Sequence, residues 1–107
     1  MAVTIARGAA DSQLDEFVSA LEKFQADHPN AEISLYRHGR YSVRVRIVDP
    51  GFAGESKTQR HRVAWPYLLG LPEETLSDLS SLLLLTPDEK GTSFANFEFD
   101  DPLPSRL

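Results

Sequence analysis

The sequence predicts a single small α+β domain, with helices packed on one side of a three-stranded mixed sheet in the order helix-strand-strand-helix-helix-strand. Three observations carry this. Residues 11–29 repeat apolar side chains at helical spacing, YSVRVRIVD alternates them at strand spacing, and 107 residues suffice for one modest core and no second domain.

Residues 1–10 show no periodicity and are expected to be irregular. In DSQLDEFVSALEKFQADHP, Leu14, Phe17, Val18, Leu21 and Phe24 fall on one stripe that must pack against something. Asp11 or Ser12 caps this helix, Asp15 and Glu16 suit the positive end of its dipole, and His28-Pro29-Asn30 ends it. AEISLYRHG sends Ile33 and Leu35 to one side and Ser34 and Tyr36 to the other, and Arg37-His38-Gly39-Arg40 turns the chain. In the next strand Val43, Val45 and Ile47 alternate with Ser42, Arg44 and Arg46, so the two arginines are expected on the solvent side of the sheet.

Asp49-Pro50-Gly51 breaks that strand, and Ser56 followed by Gln59 has capping-box spacing. Because Trp65 precedes Pro66, the second helix is expected to run from Ser56 to Ala64, with PYLLGL as a bend. Pro72-Glu73-Glu74 starts a third helix, carried to Ser81 by Leu76 and Leu79. Leu82 to Leu85 then read as a strand buried on both faces. Residues 91–107 form an acidic aromatic tail in which Phe97 and Phe99 alternate with Asn96, Glu98 and Asp100, the pattern of an extra edge strand.

Composition narrows the chemistry. With no cysteine, the chain offers no disulfide, no thiolate nucleophile and no sulfur for zinc or iron, so soft-metal chemistry would need a partner's sulfur. No stretch approaches a membrane span, and the N-terminus lacks the apolar run of a secretory signal, which makes a cytoplasmic protein the expectation. The net charge of -5 argues against nonspecific nucleic-acid binding, yet the charge is uneven. Residues 37–62 hold seven cations against two acids, whereas residues 63–107 hold eight acids against two cations. One half can dock on the other, or the basic region can face a partner.

Three motifs stand in order along the chain: Gly51-Phe52-Ala53-Gly54-Glu55-Ser56, Arg60-His61-Arg62-Val63 and Leu85-Thr86-Pro87-Asp88-Glu89. The set resembles the BolA-like family, whose members carry a phenylalanine-glycine-serine turn, an arginine-histidine-arginine helix and a threonine-proline-glutamate ending. The resemblance covers residues 11–90 and implies a KH-like α+β fold. It also implies one of two roles: partner of monothiol glutaredoxins in handling [2Fe-2S] clusters, or DNA-binding regulator. The cluster role uses a family histidine near the start of the last strand, where this chain reads Ser77-Asp78-Leu79-Ser80-Ser81-Leu82, and a second ligand from the first strand-strand loop, where His38 stands.

The expected function is therefore non-enzymatic: an interaction module for a protein partner, with a glutaredoxin implied by the resemblance and a [2Fe-2S] cluster shared with it rather than bound by this chain alone. The alternative is a nucleic-acid-binding regulator using Arg44, Arg46, Arg60 and Arg62 with Tyr36 beside them, since guanidinium groups suit both phosphates and carboxylates. The blander reading of Arg44 and Arg46 is a solubilising sheet face that pairs with Asp100 and Asp101. His61 is read as a packing residue of its helix, because no local acid or nucleophile completes a dyad, and a hydrolytic or metal enzyme would have to use it or His38. Gly51 and Gly54 make a GxxG, but between a strand and the second helix this reads as a tight turn rather than a nucleic-acid clamp. Trp65 and Tyr67 read as core residues before partner anchors.

Overall fold

The computed structural model describes residues 3–7, 12–38 and 42–90. The first helix, α1 (Ser12–Asp27), buries Leu14, Phe17, Leu21 and Phe24 completely, so its apolar stripe is the one the spacing predicts. Its end is held by Gln25, whose Nε2 donates to the carbonyl of Ala31 at 2.7 Å. That bond satisfies backbone in the bend leading to β2 (Glu32–His38).

β2 pairs antiparallel with β3 (Ser42–Val48), from Glu32 opposite Val48 to His38 opposite Ser42. Ile33, Leu35, Val43, Val45 and Ile47 point to one face and form the core with α1 and with α2 (Lys57–Leu68). A 3-10 turn, Pro50–Phe52, connects β3 to α2; Asp49 caps it by accepting from the Gly51 N–H at 2.9 Å, and Phe52 is driven into the core. Gly54 follows at φ +80, a left-handed conformation that L side chains rarely adopt, so the second glycine of the GxxG serves the backbone turn.

α2 opens on the expected capping box: Ser56 Oγ accepts from the Gln59 N–H at 3.2 Å, and Gln59 Oε1 accepts from the Ser56 N–H at 2.7 Å. It does not stop at Ala64 but continues through Pro66 to Leu68. Pro66 cannot donate, but the helical ladder resumes beyond it, with the Leu69 N–H on the Trp65 carbonyl at 3.2 Å. Burial of Ala64 and Leu68 against the core outweighs the lost bond.

α3 (Glu73–Ser77) is shorter than expected. Its continuation to Ser81 is overturned, because Leu79 already opens β4 (Leu79–Leu85), which pairs parallel with β3 and has Asp78 and Leu85 carbonyls bonded to Val43 and Asp49 N–H groups. Leu76 and Leu79 share helical spacing, yet the ladder to β3 takes the second. The strand is half-buried rather than buried on both faces until Leu85, since it lies at the sheet edge. One turn, α4 (Pro87–Lys90), closes the described chain.

The expected mixed sheet of β2, β3 and β4 is present, and a further strand extends it. Residues 3–7, expected to be irregular, form β1 (Val3–Arg7), parallel to β2 with Val3 opposite Ile33, giving the order β1-β2-β3-β4. Parallel pairing across the length of α1 leaves no local mark in the sequence. The tail expected at residues 91–107, including its edge-strand pattern, lies outside the described residues.

Candidate functional site

Arg60 sits on the inward row of α2 with Ala64 and Leu68, and is buried. Its Nε donates to the Glu55 carbonyl at 3.0 Å, its Nη1 to the Leu84 carbonyl at 3.0 Å, and both terminal nitrogens to the Glu89 carboxylate, Nη2 to Oε2 at 3.0 Å. The guanidinium lies 5.8 Å from the Phe52 ring centroid. Glu89 in turn closes a second capping box: its Oε1 accepts from the Thr86 N–H at 3.0 Å, and its own N–H reaches Thr86 Oγ1 at 3.3 Å. The hydrogen bond from Arg60, and after it that from Thr86, holds the Glu89 carboxyl down at about 2, and Glu89 raises the arginine above its already high value. Arg60 is therefore a strut joining α2, β4 and α4, not a surface cation.

That strut forms the floor of a groove of about 650 Å³ between α2 and β4. Leu82, Leu83 and Leu84 supply its apolar wall, and Lys57 and His61 stand on the α2 side. His61 is exposed and stacks on Trp65 one turn later, centroids 5.2 Å apart at 19°. Trp65 and Tyr67 both pack partly buried against the core, and Tyr67 donates to Asp27 at 2.6 Å.

The predicted arginine face divides. Tyr36 and Arg44 stand opposite each other in the sheet, as do Ser34 and Arg46, so the strand alternation places them together correctly. The face is not open to solvent, however. Tyr36 is wholly buried and accepts from Arg44 Nη1 at 3.1 Å, and Arg46 is 9% exposed with Nη2 3.4 Å from Ser34 Oγ. Alternation sorts residues onto faces but says nothing about what covers a face. Of the proposed contact residues Arg62 is exposed, Arg44 is half-buried, and Arg46, Arg60 and Tyr36 are interior.

At the opposite end of the sheet, His38 ends β2 and Arg37 precedes it. Arg37 Nη1 donates to Asp78 Oδ2 at 3.2 Å and its Nη2 to Gln13 Oε1 at 2.9 Å, tying α1 and the start of β4 to the hairpin.

No family model and no curated protein matches the chain. Among solved structures it is similar to BolA1 from Arabidopsis thaliana at 25% identity, covering 75% of this chain and 98% of that one, with a TM-score of 0.49. Within the chain itself, the BolA-like motifs have a shared physical purpose: the arginine of Arg60-His61-Arg62 is bound by the glutamate that caps Thr86-Pro87, and the turn before Ser56 sets the start of the helix carrying that arginine. The segment in which BolA-like proteins place a histidine contains Asp78, already ion-paired with Arg37. Among the described residues no three His, Cys, Asp or Glu side chains gather as metal donors. With no cysteine in the chain and Asp78 engaged, the described donors do not fit a [2Fe-2S] cluster held by this chain alone.

The sequence reading missed Glu89 and Lys57 as site residues and the leucines of β4 as a groove wall. The Thr86-to-Glu89 spacing was the available signal for the first, being that of a capping box.

Proposed function

We propose that this chain is a non-enzymatic interaction module that binds a protein partner, and that the partner is a monothiol glutaredoxin, as its BolA-like motifs imply. The observation that carries the reading is the groove between α2 and β4: a row of half-buried leucines beside Lys57 and His61, braced from beneath by Arg60 and Glu89. Apolar surface bordered by polar groups on rigid elements is the usual composition of a protein-binding patch. The nucleic-acid alternative draws less support, because it needs several arginines on one open surface and Arg46 and Arg60 are interior.

The test is to titrate a cluster-loaded and a cluster-free monothiol glutaredoxin into the protein, following heat of binding and the visible circular dichroism of the cluster. Saturable binding of either form supports the reading. A spectral change lost in His38→Ala assigns His38 a place at the shared cluster, whereas an unchanged spectrum with binding assigns recognition to the protein surface alone. No binding of either form removes the glutaredoxin as partner, and competition by duplex DNA would favour the alternative.

A further inference from the structure

We infer that the outward side of α2 docks an acidic amphipathic helix of a partner protein; the inference rests on the reading of the chain as a protein-binding module. Lys57, His61, Trp65 and Leu69 follow one another four residues apart along α2 and its cap, which makes them a single ridge about 18 Å long. Such a ridge is the feature a second helix accepts between its own rows of side chains. The ridge has an apolar end and a cationic end. Leu69 is 58% exposed, and half-buried Trp65 stacks with His61 one turn before it.

The charge specifies the partner's sign. KTQRHRVAWPYL contains no acid. The charge of Arg60 is matched inside the domain by Glu89, but Lys57 and Arg62 are exposed and make no ion pair among the described residues. In a chain whose net charge is -5, the exposed cations Lys57 and Arg62, set on the N-terminal side of half-buried Trp65 and exposed Leu69, are locally complementary to carboxylates set beside an apolar side chain. An amphipathic helix with leucines on one face and glutamates bordering them has that chemistry.

The chain contains one tryptophan, and it lies on the ridge, so its fluorescence reports occupancy directly. The probe is a synthetic helical peptide with leucines on one face and glutamates beside them, together with the same peptide carrying glutamine for glutamate. Titrated into the full chain, the glutamate peptide is expected to change Trp65 emission saturably, more weakly as salt rises, with the glutamine peptide bound far less. The double variant Lys57→Glu, Arg62→Glu is expected to bind at least about tenfold more weakly, and Leu69→Ser several-fold more weakly. All three positions are exposed, so urea titrations matching wild type will show that the fold is intact.

Equal binding of the peptide to wild type and the double variant, or no change in Trp65 emission, overturns the proposal. Tighter binding of a DNA duplex than of the glutamate peptide overturns it in favour of nucleic acid. A concentration-dependent dimer abolished by Arg62→Glu overturns it in favour of a second copy. The two readings fail separately: a peptide bound alike by wild type and the double variant sinks the ridge while wild-type glutaredoxin binding still supports the module, and peptide binding without glutaredoxin binding removes the named partner while the ridge stands.

Discussion

Arg60 of α2 and Glu89 of α4 meet in a two-pronged ion pair, the arginine buried and the carboxylate half open to water. Glu89 has its carboxyl held at about 2, chiefly by this hydrogen bond, against an ordinary value of 4.5. A carboxyl lower in the folded than in the unfolded chain contributes stability in full above the unfolded value and loses it as pH falls through the folded one. Glu89→Gln is therefore expected to cost on the order of 1 kcal/mol near neutral pH, a figure reduced for the carboxylate's exposure to solvent. The difference should vanish as pH approaches 2, which urea titrations of both proteins across that range will show.

Ser56→Ala removes the hydroxyl that accepts the Gln59 N–H at the start of α2. The expected loss is about 1 kcal/mol. Because the cap lies next to Lys57, amide exchange should rise first in the opening turn of α2, and a uniform rise across the sheet would contradict a local capping role.

Phe52 is 1% exposed between Phe24, 6.4 Å away centroid to centroid, and the Arg60 guanidinium. Phe52→Ala leaves a cavity and removes the surface on which Arg60 lies, at an expected cost of about 3–5 kcal/mol. Thermal melts should show a large drop in midpoint, and a loss under 1 kcal/mol would mean that the neighbouring side chains collapse into the space.

Tyr36→Phe tests whether the buried tyrosine is structural. Its hydroxyl accepts from Arg44, so the variant is expected to lose about 1 kcal/mol in urea titration while glutaredoxin or peptide binding stays at the wild-type level. A large fall in binding with unchanged stability would restore Tyr36 to the binding surface.

The parts of this architecture that were legible are those set by local spacing. Phe17, Leu21 and Phe24 declared α1, Val43, Val45 and Ile47 declared β3, and Ser56 with Gln59 declared the start of α2. What escaped depended on distant partners: β1 is ordered against β2 across α1, and Leu79 belongs to a strand because β3 is there to receive it. For the site, Arg60 and Arg62 look equivalent as a pair in the sequence, yet two residues along a helix span more than half a turn. Arg60 shares its row with Ala64 and Leu68, and that row was the readable sign that it would point inward. Tyr36 and Arg46 were placed on the right face, but whether that face meets water is a tertiary property.

The described sheet consists of two parallel crossovers, β1-α1-β2 and β3-α2-α3-β4, joined at its centre by one short antiparallel connection. The central pair can zip from neighbouring residues, whereas each outer strand must wait for an intervening helical segment to cross over. In kinetic terms the middle of the sheet forms early and its two margins late. The wall of the groove belongs to one of these margins, so a partner seated on β4 would act as a clamp on the edge of the sheet, slowing local opening there more than global unfolding.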